Sequence, residues 1–199
     1  SGCTWAPVGS MEKQKIRASR AFLTDMKKGH VFYRFQCDEA YLNNLSHFIK
    51  SGLDNNQQVL IIESMRNLPK VQALIDRIVS EENKPSIRLV NNFEYYLAKG
   101  DFHTQTILHH FQKDLSSFNN PDSSIRTWAH VEWASSKPDA ELLKEFETTA
   151  DDLVLNAKLL SVCAYSNDHL SPDLNNVLEQ VHNFVMTDET LLESALYDK

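Results

Sequence analysis

Residues 58–64, Gln58-Val59-Leu60-Ile61-Ile62-Glu63-Ser64, carry four aliphatic side chains in a row with no polar alternation. Successive side chains of a strand point to opposite faces. A run of this kind therefore needs both faces covered, which is the situation of a strand in a parallel sheet between layers of helices. The flanking segments supply such helices. Leu42, Leu45, Phe48 and Ile49 are spaced for one helical face in 38–53, which closes near Gly52; Leu68, Val71, Leu74, Ile75 and Ile78 form a stripe through 67–80.

The alternation continues along the chain. Residues 30–35 (HVFYRF), 86–92 (SIRLVNN), 125–133 and 159–166 (LLSVCAYS) are strand candidates. Helices are expected at 12–27, 101–118 and 138–155, and again from Ser171-Pro172, where a Ser N-cap precedes Pro at the first helical position. A short helix is expected over 187–197. Strands alternating with helices point to an α/β fold: three layers, with a mostly parallel central sheet flanked by helices. Residues 1–10, uncharged and ending in Gly-Ser before Met11, read as an expression scar. Residues 11–28 are then an N-terminal amphipathic helix, and 29–199 a single domain.

Composition narrows the function. The 199 residues carry a formal net charge of −7, unsuited to unspecific nucleic-acid binding, which needs clustered Lys and Arg. No apolar run reaches the roughly 18 residues of a membrane span. Cys37 and Cys163, far apart and in no CxxC, fit a reduced, cytoplasmic setting. The glycines stand at 2, 9, 29, 52 and 100, so neither GxxxxGK[ST] nor GxGxxG nor GxSxG is present. His130-Val131-Glu132 has the HxE of zinc deaminases without their PCxxC. His103, His109 and His110 read as solvated or amide-bonding side chains rather than a metal set, since no carboxylate or Cys completes them at ligand spacing.

Ligands of open α/β sheets bind beyond the carboxyl ends of the strands. In Arg126–Trp133 the strand alternation puts Thr127, Ala129, Val131 and Trp133 on one face and Trp128, His130 and Glu132 on the other. His130 and Glu132 are thus either an imidazole–carboxylate pair facing that crevice or a strand end meeting water. Trp128 is either a pocket wall or core. Cys163 is either a small hydrophobe or a ligand contact. Tyr165 offers apolar area and one hydroxyl. His30 opens its strand, the end opposite the crevice. No nucleophile stands beside a base, so no catalytic residue is assigned.

Three stretches in series carry a family resemblance. The first is His30, then Asp38-Glu39, "FIKSGL" and "VLIIES". The second is "RTWAHVEWA" followed by "FETTADDL" (146–153). The third is "VCAYS" (162–166), "LSPDL" and His182. Over roughly 28–185 they resemble the MEDS domain, the sensory domain of methanogens, methylotrophs and the dichloromethane regulator. The resemblance implies a relative of RecA/KaiC-type ATPases without a P-loop. It also implies a non-enzymatic sensory or regulatory role: a small organic ligand, no cofactor, and signalling through a partner such as a histidine kinase or transcription regulator. A chain of this length leaves no room for such an output module, so a stand-alone sensor or adaptor is expected. His30, Glu147, Cys163, Tyr165, His182 and Trp133 match family positions. Ala129 and His130 stand where the family has Gly and Glu, Ser166 replaces an Asp, and Phe32 and Phe35 replace the Cys and Tyr often found in the first strand. The expected ligand-binding set is His30, Trp128, His130, Glu132, Glu147, Cys163 and Tyr165, with no metal. The alternatives are a degenerate sensor acting as a protein-interaction module, with Phe22, Leu23 and Met26 as an exposed surface for dimerisation, and, third, a nucleotide-binding enzyme.

Overall fold

The structure, a computed structural model, describes residues 17–118 and 123–199. The strands are β1 (Arg17–Ala18), β2 (Gly29–Phe35), β3 (Gln58–Glu63), β4 (Ile87–Asn91), β5 (Ile125–His130), β6 (Leu160–Ser166), β7 (Phe184–Met186) and β8 (Thr190–Glu193). The helices are α1 (Ser19–Asp25), α2 (Asp38–Asp54), α3 (Leu68–Ile78), α4 (Phe93–Tyr96), α5 (Thr104–Ser116), α6 (Ala140–Asn156) and α7 (Pro172–Gln180). One sheet runs β1-β8-β7-β2-β6-β5-β3-β4. All pairings from β7 to β4 are parallel; β8 is antiparallel to both β7 and β1.

Each strand alternates between two cores. Val31, Tyr33 and Phe35 of β2, Trp128 of β5 and Val162 of β6 pack under α1, α2 and α3. Phe32, Ala129, Cys163 and Tyr165 point the other way, under α4 to α7. This is the three-layer architecture expected, with β3 buried along its whole length. Ser171 caps α7 as its sequence predicts, its Oγ accepting from the Leu174 N–H at 3.2 Å.

Three expectations change. Residues 187–197 are not a helix: β7 and β8 form a hairpin, and β8 extends the sheet edge toward β1. The long-range pairing of β7 with β2 outweighs the helix-like spacing of Leu191, Leu192 and Leu196. The N-terminal helix covers only Ser19–Asp25 within the described part; residues 1–10 and 11–16 lie outside the described residues. Its Phe22 and Leu23 are not an exposed surface either, since both are fully buried in the core shared with α2.

Candidate functional site

On the α6/α7 side of the sheet lies a buried polar centre. β2 aims His30 into it, α6 contributes Glu147 and Asp151 one helical turn apart, β6 contributes Cys163 and Tyr165, and the chain leaving α7 contributes His182. His30 Nδ1 is 2.8 Å from Asp151 Oδ1 and 3.1 Å from the Val181 carbonyl. Both are acceptors, so Nδ1 carries the hydrogen and the second nitrogen, Nε2, faces inward. There it lies 3.4 Å from Cys163 Sγ and 3.7 Å from Glu147 Oε1.

His182 repeats the arrangement. Its Nδ1 donates to the Leu178 carbonyl at 2.7 Å. Its Nε2 lies 3.2 Å from Glu147 Oε2 and has no hydrogen-bond partner among the described residues. The two imidazoles lie 3.9 Å apart, centre to centre. Tyr165 donates to Glu147 Oε2 at 2.6 Å. Tyr197 and Lys199 close over the far side, donating to Asp151 Oδ2 at 2.8 and 3.0 Å.

Burial and the neighbouring His182 pull the His30 imidazole below its ordinary value, against the pull of Asp151. Burial, then Glu147, pushes the Cys163 thiol and the Tyr165 phenol well up. Burial alone would raise Glu147, but the neighbouring His182 and His30 imidazoles and the hydrogen bond from Tyr165 hold it low. A carboxylate kept ionised in a dry interior must have compensating donors or cations.

A second cluster sits on the opposite face, under α2. His130 ends β5, and its Nδ1 is 2.5 Å from Glu63 Oε1 at the end of the adjacent strand β3. Tyr41 donates to Glu63 Oε2 at 2.6 Å, and Trp128 Nε1 donates to the Tyr41 hydroxyl at 2.9 Å. The expected pairing of His130 with Glu132 is therefore corrected: Glu63 takes the imidazole, and Glu132, past the strand end, accepts from Asn92 Nδ2 at 2.9 Å. Trp128 is core, wholly buried among Tyr33, Tyr41 and Phe48. The expected ligand set thus divides. His30, Glu147, Cys163 and Tyr165 converge, whereas Trp128, His130 and Glu132 lie elsewhere.

The Glu63 pair carries a pH expectation. Burial alone would raise the Glu63 carboxyl, but the hydrogen bond and charge of His130, with help from Tyr41, bring it below its ordinary 4.5. A depressed folded-state pKa contributes stability above the unfolded value and loses it as pH falls through the folded one. Glu63→Gln should then cost about 1.5–3 kcal/mol at pH 7, and the gap to wild type should narrow on acidification below pH 4.5. Urea titrations across that range check this; parallel acid limbs would refute it.

Two concavities adjoin these clusters. A polar crevice of about 780 Å³ opens at the carboxyl ends of β2, β5 and β6; Asp38, Glu39, Glu132, Asp168 and Asp188 outnumber Arg66 on its walls. On the other face, a cavity of about 30 Å³ lies beside the buried polar centre, between Tyr96, Ile107, Phe146 and the side chains of His30, Glu147 and Cys163.

The family model for the MEDS domain, the "MEthanogen/methylotroph, DcmR Sensory domain", matches residues 29–183. The chain belongs to the MEDS family. No curated protein matches it in sequence. Two solved structures share its fold: a KaiC-like protein from the hyperthermophilic archaeon Pyrococcus horikoshii OT3, at 12% identity, TM-score 0.53, covering 81% of this chain and 71% of that one; and an ATPase domain, at 11% identity, TM-score 0.53, covering 81% and 70%. At these identities the likeness shows the fold alone, a RecA-like three-layer sheet. The MEDS match makes the role sensory or regulatory. No helix among the described residues is long and apolar enough to cross a membrane.

Within this MEDS domain, the five family-matching polar residues His30, Glu147, Cys163, Tyr165 and His182 are the ones that meet. Asp151, Tyr197 and Lys199 were missed from sequence. For Asp151 a signal was there: it stands four residues after Glu147 on a helix face otherwise lined by Leu143, Phe146, Ala150 and Val154. Among the described residues, His103, His109 and His110 gather no ligand set. Among the described residues, His30, Glu147, Cys163 and His182 are the one group of three or more such donors close enough to share an ion.

Proposed function

We propose that this MEDS domain is a non-enzymatic sensor that takes a small organic molecule into the cavity beside His30, Glu147 and Cys163 and signals through a partner protein, a kinase or a transcription regulator. The observation that carries this is a charged, fully buried polar centre opening on an otherwise apolar cavity, the usual chemistry of a ligand site. The cavity, about 30 Å³, is only a little larger than the roughly 10–15 Å³ that one water needs. The ligand is therefore a molecule of a few non-hydrogen atoms, with one polar group for the Glu147–His30 side.

Against nucleotide chemistry stands the Asp188 carboxylate. A P-loop joins a strand to a helix through a Gly-rich loop that cradles phosphate. Here β2 and α2 are joined by Gln36 and Cys37 alone. Asp188 Oδ2 accepts from their N–H groups at 3.2 and 3.1 Å, and Tyr33 donates to its Oδ1 at 2.6 Å. The protein's own anion sits at that helix start, beside an acidic crevice.

The test is thermal unfolding with alcohols, thiols, amines and halocarbons of a few non-hydrogen atoms, alongside native mass spectrometry. At least one class should raise Tm in wild type. Ala150→Val, which narrows the cavity at about 1–3 kcal/mol of overpacking cost, should abolish that rise while keeping the fold. No stabilisation by any class, or an unchanged response in Ala150→Val, would overturn the reading. A rise with Mg-ATP instead would favour the enzyme.

A further inference from the structure

We propose that His30, Glu147, Cys163 and His182 hold a divalent transition-metal ion, zinc being the best match to the donor set. The proposal does not depend on an organic ligand in the neighbouring cavity.

Four features lead to it. The first is donor type: two imidazoles, a thiol and a carboxylate are the side chains that bind zinc, and four protein donors are its usual number in a closed site. The second is spacing. All four donor atoms lie within 4.8 Å of one another. Their closest approaches are 3.2 Å (His182 to Glu147), 3.4 Å (His30 to Cys163), 3.7 Å (His30 to Glu147) and 3.9 Å (Cys163 to Glu147). Metal–ligand bonds of about 2.0–2.3 Å set at tetrahedral angles give ligand–ligand edges of roughly 3.3–3.8 Å.

The third feature is orientation from behind. Metal-binding histidines donate their other N–H to a carboxylate or carbonyl, which fixes tautomer and ring direction. His30 does so to Asp151 and His182 to the Leu178 carbonyl, so both Nε2 atoms point at the same space. Tyr165 similarly orients the Glu147 carboxylate. The fourth is the unpartnered Nε2 of the wholly buried His182, aimed into the cluster. A buried polar atom without a partner is costly. An ion would give it one.

The charges also balance. On binding, the Cys163 thiol loses its proton to solvent, and thiolate and carboxylate together neutralise a 2+ ion. The ion would tie β2, β6, α6 and the segment after α7 together at one point, so its presence would bear on the stability of the whole α6/α7 layer.

The experiment uses the full chain, purified without chelator and analysed by elemental mass spectrometry, then loaded with Co²⁺ as a spectroscopic probe. One ion per chain is expected. The cobalt form should show the intense visible bands of a tetrahedral site and a near-ultraviolet thiolate charge-transfer band. Cys163→Ser should lose that band. Asp151→Asn, which touches no metal, should weaken Zn²⁺ affinity by roughly 10–100-fold. Chelator should lower the Tm of wild type. The wild-type spectrum decides even if a variant fails to fold. Wild type that retains no ion after dialysis against Zn²⁺ would overturn the proposal. So would a cobalt spectrum lacking the thiolate band, or full uptake by Cys163→Ser, which would place the ion on exposed histidines such as His109. An organic molecule found without metal would overturn this inference and leave the sensory reading standing.

Discussion

Trp128→Ala is expected to lower the unfolding free energy by about 3–5 kcal/mol, and Tm by roughly 6–20 °C, without altering ligand-induced stabilisation. The Trp128 indole is wholly buried at the centre of the α2-side core. It meets Phe48, Tyr41 and Tyr33 at 5.2, 5.4 and 5.7 Å between ring centres, all edge-on. Edge-to-face pairs of this kind add to the burial of area. Its Nε1–H, donated to Tyr41, also holds that hydroxyl in line with Glu63. Truncation removes the largest side chain of the layer and loosens the Tyr41–Glu63–His130 chain. The sheet backbone separates it from Cys163, whose side chain leaves the other face, and from Glu147 on α6, which packs over that face. Chemical denaturation and thermal shift on the same samples check both halves. A loss below about 1 kcal/mol, the size of an ordinary surface substitution or little more, would contradict the core role. Loss of ligand response in a folded variant would return Trp128 to the binding site.

What the sequence disclosed follows from the range of the interactions involved. The apolar run Val59–Ile62 and the stripes of α2 and α3 are local periodicities, and they mark β3 and its flanking helices almost to the residue. The Ser171 cap is equally local. The β7–β8 hairpin was hidden because three- and four-residue strands carry almost no periodicity, and Thr187-Asp188-Glu189 contains no glycine to announce a turn. Its stability comes from β2, a partner some 150 residues earlier. The same distinction divides the site. Strand alternation correctly separated Trp128 and His130 from Ala129 and Val131. It had no access to strand order, and only the adjacency of β5 to β3 brings His130 to Glu63 instead of Glu132. The convergence of His30 with Cys163 depends on β2 lying beside β6. Glu147 and His182 were named only through the family resemblance, because no local spacing relates position 30 to 147, 163 or 182.

Arg126→Met is expected to cost about 3–5 kcal/mol, since it removes several buried hydrogen bonds from a charged group, each worth about 1.5–3 kcal/mol before relaxation. Arg126 lies in β5, wholly buried, on the α2 side. Its guanidinium is held by neutral groups. Nε donates to Gln57 Oε1 at 2.7 Å, Nη1 to the Leu23 and Phe48 carbonyls at 3.1 Å, and Nη2 to the Met26 carbonyl at 3.1 Å. The cation also lies 4.9 Å over the Phe48 ring. Burial lowers its pKa to about 10, so it remains charged at neutral pH. Leu23 and Met26 close α1, and Phe48 belongs to α2. One side chain therefore fastens α1 to both α2 and the sheet. Methionine fills similar volume but takes a donor from the Leu23, Phe48 and Met26 carbonyls; Leu23 keeps the Ser51 hydroxyl, and a buried carbonyl left bare costs about 1–3 kcal/mol before relaxation. Lysine should recover little of this, since an ammonium lacks the planar fork that reaches separate acceptors. The damage should be regional: hydrogen exchange should accelerate through α1 before β2 or β6. Gly52 supplies a cross-check. A Cβ there would stand 2.8 Å from Arg126 Cδ and 3.1 Å from Val59 Cγ2. Gly52→Ala should thus displace the same guanidinium, and its cost should add to that of Arg126→Met by less than the sum. Fully additive costs, or unchanged exchange in α1 of Arg126→Met, would show that the carbonyls find other donors and that the arginine is not what anchors α1.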